Sequence, residues 1–537
     1  MSLPQIDRTL CLDQTIILIG FMGAGKTTVG RVLAAYLHRP LFDLDEVLVK
    51  ELGRTIPEIF ASEGEAWFRD QESRLLREYV QNPLPKILAC GGGVVEREDN
   101  RRFLKSAGTY YLRLDPQAIW DRLTPEDRAG RPLARDQKAF LDLFDRRAAL
   151  YDESGDCIIA SGRPKQVAQK ILTKYLDDID FVLHAESQKC LVRTFRPAYT
   201  GKARLKELIG TRNVIFLLDP AVRSEEKYFR REWPQSIIHF PEHRGEEAKT
   251  LQEAETVLRL MAEGGLNRAD YLVAKGGGSL TDLGAFCAGL YRRGLNLLLW
   301  PTTLLGAVDA AIGGKTAVNF VGAKNQIGHF FLPREVWLEP EILSNLPAGL
   351  LAEGLVEALK TGLLLDQELY SLIKTRLEMI LSGDTGFIMA VARRSAKAKA
   401  LLVEKDFREE HGVRDILNLG HTYGHVAESF YAPKVSHGLA VALGLAVALE
   451  LSTELGNLDP EIALEGQTLA LRLAGQFPPL VPEEDFYRLL AFDKKIRFGG
   501  FKFVVLKNLQ EPAVMPVEPV RILKAAEKML KRLGLSG

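Results

Sequence analysis

Gly20-Phe-Met-Gly-Ala-Gly25-Lys26-Thr27 sets small residues, one amine and one hydroxyl at the spacing that wraps a polyphosphate. The amides of such a loop, and the N-terminus of the helix it opens, attract anionic oxygens. Gly23, Ala24 and Gly25 supply those amides, and Lys26 reaches the outer phosphates. Thr27 offers its hydroxyl to magnesium, with Thr28 beside it in the nucleotide site. Far downstream the chemistry changes. Four of the nine histidines fall within residues 411–437, among them His421, His425 and His437. The spacing of His421 and His425 puts two imidazoles on one helical face, so by spacing alone both are candidate metal ligands. Upstream, Glu357 and Lys360 lie one helical turn apart, which suits a site but equally suits a surface ion pair.

Other groups gather around each centre. Asp43 and Asp45 alternate along what reads as a strand end, so both would face the phosphate loop. One would serve magnesium through water and the other a hydroxylated acceptor. Taken alone, the pair could be solvated acids. Arg69, Arg131 and Arg147 fit an anionic substrate and developing phosphoryl charge, although each singly reads as a surface charge. Gly91-Gly92-Gly93 allows a ligand close to the backbone. In the second half, Lys275-Gly-Gly-Gly278 followed by Asp282 is a strand, a glycine turn and a helix, a recipe for pyrophosphate that lacks the Gly-x-Gly-x-x-Gly fingerprint. The run from Pro301 to Gly328 is too rich in glycine and reactive side chains for a plain helix or strand.

The elements that must hold these groups are α/β. Residues 15–160 alternate short apolar runs with helical patterns, which predicts a parallel sheet wrapped by helices. Strands are expected at Thr15–Ile19, Pro40–Asp43, Lys86–Cys90, Thr109–Leu114 and Cys157–Ala160, with a closing helix over 164–178. A short polar join around Leu176–Ser187 leads to a second α/β block starting near Cys190, with strands at Val214–Leu218, Tyr271–Ala274 and Asn296–Trp300. From about Pro333 the pattern is mostly helical, over 348–365, 386–404, 420–430, 437–455 and 462–474. The expected organisation is a P-loop kinase-type domain over 1–178, an α/β dinucleotide-type domain over 179–332 and a mostly helical metal-binding domain over 333–537.

Lys plus Arg equals Asp plus Glu at 70 each, so no global basic field argues for nucleic acid. Cys11, Cys90, Cys157, Cys190 and Cys287 form no Cys-x-x-Cys pair, which argues against a structural zinc knuckle and makes a reducing cytoplasm the default. The first residues lack the basic and apolar regions of a signal peptide. The apolar run Leu439–Leu449 is shorter than the roughly 20 residues that span a bilayer, and reads as a buried helix.

Gly20–Thr27, Asp43-Leu-Asp45, Gly64-Glu65…Phe68-Arg69…Glu72, the triple glycine, Arg131-Pro132-Leu133 and Arg147…Tyr151 together resemble shikimate kinase over the whole first domain. The resemblance implies that Asp45, Arg69, Gly92 and Arg147 hold shikimate, with Asp45 orienting or deprotonating its 3-hydroxyl. Asp43 would serve the magnesium shell, and Arg131 would lie on a lid over ATP. Over roughly residues 185–510 the chain resembles 3-dehydroquinate synthase. That resemblance implies Glu357, His421 and His437 as ligands of a divalent metal, zinc or cobalt, and moves His425 to the catalytic group. It assigns Asp219, Glu246, Lys249, Gly277, Asp282, Thr302, Thr303 and Lys324 to bound NAD. Asp309, Lys315, Asn325, Lys360, Lys399, Arg414, Asn418 and Lys495 would line the substrate pocket, and Arg293 would reach a neighbouring subunit's pocket in a homodimer. The substrates implied are shikimate with ATP, and 3-deoxy-D-arabino-heptulosonate 7-phosphate, with neither nucleic acid nor membrane as a partner. The chain departs from the synthase pattern at Ala310, Ala311, Ala317, Ala323 and Leu439. One extra residue before Arg414 leaves the matching acid open between Glu409 and Glu410. Two rivals are a metal- and NAD-dependent polyol dehydrogenase, which would release NADH, and a nucleotide sensor, which would consume no ATP on adding shikimate.

Overall fold

The computed structural model describes residues 15–37, 39–82, 86–106, 108–124, 136–178, 180–195, 201–321, 323–432, 434–491 and 502–535. Arg131 and Lys495 lie outside the described residues. Two compact units emerge, one of residues 1–180 with 196–199 and one of residues 181–195 with 200–537.

In the first unit five parallel strands, β1 (Ile16–Ile19), β2 (Leu41–Asp43), β3 (Ile87–Ala89), β4 (Thr109–Arg113) and β5 (Asp156–Ile159), take the order β2-β3-β1-β4-β5. β1 is central, and all four of its residues are buried, as a strand covered on both faces requires. Register pairs Leu18 with Ala89 and Asp43 with Ala89, so the segments leaving β1, β2 and β3 emerge side by side. These are the phosphate loop, Asp43 and the triple glycine, and they share the C-terminal edge where open α/β sheets bind ligands. Asp45 departs from the strand-end reading. It lies in the first turn of the helix Leu44–Leu52, whose N-cap Asp43 accepts the Asp45 amide at 3.1 Å. A capping acid followed by buried Leu44 and Leu48 one turn apart turns the chain into a helix one residue after the strand.

The second unit has a seven-stranded sheet ordered β6-β7-β14-β11-β10-β8-β9. Its strands are β6 (Phe181–Ala185), β7 (Gln188–Thr194), β8 (Val214–Leu218), β9 (Ile237–His239), β10 (Tyr271–Gly276), β11 (Asn296–Pro301) and β14 (Glu335–Leu338). Only β6 runs antiparallel to its neighbour. The stretch read as a polar join therefore already contains a sheet strand, because Phe181, Leu183 and Ala185 alternate towards the core. The glycine-rich run also differs from expectation. It forms an antiparallel hairpin of β12 (Lys315–Phe320) and β13 (Ala323–Phe330), after a π-helical turn at Gly306–Ala310. A second hairpin, β15 (Lys502–Asn508) and β16 (Glu511–Pro516), interrupts the helical region.

The helices Ala348–Leu365 and His437–Leu451 are mostly apolar, with Glu357, Lys360 and His437 among the exceptions, and both are buried along most of their length. With its π-helical last turn, His437–Gly456 reaches 20 residues, long and apolar enough by composition to cross a bilayer. However, 78% of that window is packed inside the protein, where it meets the helices Ala348–Leu365, His421–Tyr431, Pro460–Ala474 and Pro519–Arg532.

Candidate active sites

At the edge of the first sheet the polar groups form a connected set. Lys26 Nζ donates to the carbonyls of Gly20 and Phe21 at 2.8 and 3.1 Å, so its amine sits over the phosphate loop. Thr27 Oγ1 donates to Asp43 Oδ2 at 2.5 Å, setting a hydroxyl and a carboxylate together at the helix start, a donor set that fits magnesium. The triple glycine is a steric necessity here. A Cβ on Gly91 would lie 2.3 Å from Glu72 Oε1 and 2.7 Å from Asp45 Oδ1, and one on Gly93 would lie 2.0 Å from Arg69 Nη1. Backbone, acids and arginine thus share a space that only glycine leaves open.

Arg69 pairs with Glu72 at 2.9 Å and Glu65 at 3.0 Å, and faces Glu96 at 3.2 Å. Arg147 holds Glu96 and donates to the Gly92 carbonyl at 3.1 Å, where Tyr151 also donates. Burial drives the Glu72 carboxyl up to about 7 against the pull of Arg69, with Asp45 adding to the rise. The structure therefore brings Lys26, Thr27, Asp43, Asp45, Arg69, Gly92 and Arg147 to one edge, while Thr28 is exposed.

In the second unit Glu357, His421 and His437 offer ligand atoms that all lie within 4.8 Å of one another. His421 Nε2 and His437 Nε2 stand 3.4 and 3.6 Å from Glu357 Oε1, a buried oxygen with no hydrogen-bond partner. An orphaned buried carboxylate oxygen facing two imidazole nitrogens fits a divalent cation. Lys360 and Glu357 are not a surface pair. Both are buried, with Nζ 2.5 Å from Oε2 as an ion contact outside hydrogen-bonding directions. Burial would raise the Glu357 carboxyl, yet Lys360 and the histidines hold it well below its ordinary value. Burial and Lys360 keep His421 well below the usual imidazole range. His437 behaves oppositely: despite burial, Glu357 and Glu428 lift it to about 10. The difference is the second carboxylate, because Glu428 meets His437 Nδ1 at 3.2 Å, whereas His421 Nδ1 lies 3.2 Å from the Leu419 carbonyl. His425 packs beside both rings, with centroids 5.3 Å from His421 and 6.3 Å from His437.

Polar groups continue outward from this centre. Lys399 Nζ donates to Asp309 Oδ1 at 2.6 Å, and against desolvation Lys399 holds the half-exposed Asp309 below its ordinary value. Glu409 bridges Lys315 and Arg414. Lys324 reaches Glu428 at 2.7 Å. Lys249 contacts Asp282 and Asn325, and Glu246 accepts from Ser279 and Asn319, both at 2.9 Å. Asp219, Gly277, Thr302 and Thr303 follow β8, β10 and β11, three adjacent parallel strands, and Gly277 caps the helix Gly278–Leu290. That crevice, with a helix N-terminus at its edge, fits a dinucleotide. Asn418 closes the turn before His421. Arg293 is exposed at positive φ, and no hydrogen bond or ion pair joins it to these groups among the described residues.

Glu96 and Glu428 are structurally central but carry no assignment from the sequence. Glu428 had a signal, because His421, His425 and Glu428 recur at helical spacing on one face. Glu96 had none, since its partners come from helices remote in sequence.

A family model for shikimate kinase matches residues 22–178, and models for 3-dehydroquinate synthase match residues 239–353 (N-terminal) and 354–496 (C-terminal). The bifunctional shikimate kinase/3-dehydroquinate synthase of Thermotoga maritima is 30% identical over 522 residues, covering 95% of this chain and 100% of its own. The 3-dehydroquinate synthase of Rhodococcus opacus is 35% identical over 353 residues, covering 64% of this chain and 94% of its own. Among solved structures, ValA (2-epi-5-epi-valiolone synthase) from Streptomyces hygroscopicus subsp. jinggangensis, with NAD+ and Zn2+ bound, is 26% identical with a TM-score of 0.58, covering 65% of this chain and 98% of that one. The chain belongs to the family of bifunctional shikimate kinase/3-dehydroquinate synthases.

Proposed function

We propose that the first unit transfers the γ-phosphoryl group of ATP to the 3-hydroxyl of shikimate. In this reading Lys26 and the loop amides hold the phosphates, Thr27 and Asp43 serve magnesium, and Arg69, Arg147 and Gly92 hold the acceptor. Asp45, at the head of its helix, takes the hydroxyl proton, a role worth about 10²–10⁴-fold. Positioning and charge neutralisation carry much of the remainder, with Arg131 closing over the nucleotide.

The second unit converts 3-deoxy-D-arabino-heptulosonate 7-phosphate to 3-dehydroquinate and phosphate. Glu357, His421 and His437 would hold zinc or cobalt. NAD would lie along Asp219, Glu246, Lys249, Gly277, Asp282, Thr302, Thr303 and Lys324. When bound, the metal would supply polarisation of the C5 hydroxyl and NAD would supply a reversible acceptor for the hydride on C5, which makes each turnover redox-neutral. His425 and Lys360 move protons at that hydroxyl. Lys315, Arg414 and Asn418 hold the phosphate that departs once C6 has lost its proton, and Asp309, Asn325, Lys399 and Lys495 fix the rest of the ring. The proposal extends to a cytoplasmic homodimer in which Arg293 completes a neighbour's pocket.

The observation that carries the synthase reading is the buried, unpartnered Glu357 Oε1 between two imidazole nitrogens. The test is to assay the full chain with each substrate, treat it with chelator, and restore zinc and magnesium separately. Zinc should rescue only phosphate release from the heptulosonate, with no net NADH. Synthase turnover that survives complete metal removal would defeat the reading.

A further inference from the structure

We propose that Glu96 is a resident carboxylate that occupies the substrate's anion position in the kinase site and thereby sets the affinity of that position for anions. This rests on the reading of Arg69 and Arg147 as the groups that hold the acceptor's carboxylate.

Both arginines are nearly enclosed, at 8% and 2% exposure. Enclosed guanidinium groups without an anion would be strongly disfavoured, so the chain supplies its own. Every edge of Arg147 is engaged: Nε and Nη2 meet Glu96 Oε1, and Nη1 meets the Gly92 carbonyl. Arg69 is surrounded in the same way by Glu65, Glu72 and Glu96. An incoming carboxylate needs these same donors, so one of the acids must yield.

Exposure decides which. The Glu72 side chain is 2% exposed and fixed, whereas those of Glu65 and Glu96 are 50% and 33% exposed. Among the described residues Glu65 pairs with Arg69, while Glu96 bridges both arginines. Its backbone is anchored, because it ends the turn Val94–Glu96 whose two valines are fully buried. Release therefore takes a side-chain rotation and no backbone movement. Moreover, Arg69 Nε faces Glu96 Oε2 at 3.2 Å without a satisfactory hydrogen bond, so a better-placed carboxylate gains there. A simple anion must break the same ion pairs as the substrate but lacks hydroxyls to reach Asp45 and the Gly92 region. Glu96 thus lowers the affinity of every anion by a similar factor, and the hydroxyl contacts let a polyhydroxylated ring carboxylate still bind.

The test uses the full chain carrying Glu96→Gln, with kinase kinetics measured against shikimate and inhibition by sulfate and acetate. The KM for shikimate should fall about fivefold, with kcat and the KM for ATP within about twofold, and sulfate should inhibit more strongly by a similar factor. Glu65→Gln should move the same KM less. An unchanged or higher KM for shikimate, or a kcat that falls with it, overturns the proposal. A structure of the unaltered chain with shikimate gives a second reading. Glu96 should have left Arg147 to the substrate's carboxylate, and Glu96 still bridging both arginines beside bound shikimate overturns the inference. Shikimate bound without touching either arginine overturns the site reading and the inference with it.

Discussion

Glu428 joins two cations that the sequence keeps apart, His437 at 3.2 Å and Lys324 at 2.7 Å. Burial opposes its charge, yet those partners hold its carboxyl down at about 2, so it is a fixed anion behind the imidazole. A carboxylate behind a ligating histidine fixes the ring and raises its basicity, and losing such a partner typically weakens metal binding about 10–100-fold. Glu428→Gln should therefore lower zinc affinity by that order in competition with a chromophoric chelator while the kinase is untouched. Unchanged affinity would remove Glu428 from the metal's support. In the other unit, Glu72 carries a pH dependence whose sign is fixed. Its carboxyl rises from 4.5 to about 7 on folding, so the protonated form favours the folded state. That contribution is complete below the unfolded value and is lost as pH rises through about 7. The thermal midpoint of the kinase unit should fall between about pH 5 and pH 8, and Glu72→Gln should flatten that slope. The residue types at both centres were legible because amines, acids and imidazoles in unusual density mark chemistry. Glu96 was not, because an acid's partner is set by tertiary contact and not by its neighbours in sequence.

The metal cluster depends on how closely two helices cross. His421 opens the helix His421–Tyr431 and His437 opens His437–Leu451. Where these pack, a Cβ on Gly444 would lie 1.9 Å from the Gly420 carbonyl oxygen and 2.8 Å from the Gly424 nitrogen. Gly444→Ala must push the helices apart, at a cost of about 1–3 kcal/mol, and shift one histidine against the other. The expected result is a lower melting temperature for the synthase unit together with weakened zinc binding. A variant that melts lower but binds zinc normally would separate the crossing from the metal geometry. These helices could be read from their apolar pattern, as could β1, β8, β10 and β11, which are continuous apolar runs. Asp45 was misplaced because a strand and a helix meet there within one residue, and local alternation cannot see the cap that divides them. The hairpin from Lys315 to Phe330 escaped because its lysines and asparagines make polar contacts along half-exposed strands, which leaves little apolar alternation to detect.

Each unit has its own buried core, one running from Ile16 to Leu172 and another from Leu183 to Leu530. Each also has its own donors: phosphate loop, acids and arginines in the first, imidazoles, carboxylates and lysines in the second. Zero net charge agrees with this, because recognition must then come from local arrangements and not from a field over the molecule. Two chemically independent active sites on one chain are tested by a crossed assay of the full chain with both substrates. Lys26→Ala should abolish shikimate-dependent ATP consumption and leave phosphate release from the heptulosonate intact, while His421→Ala should do the reverse. A single substitution that silences both reactions in a folded chain would contradict the account.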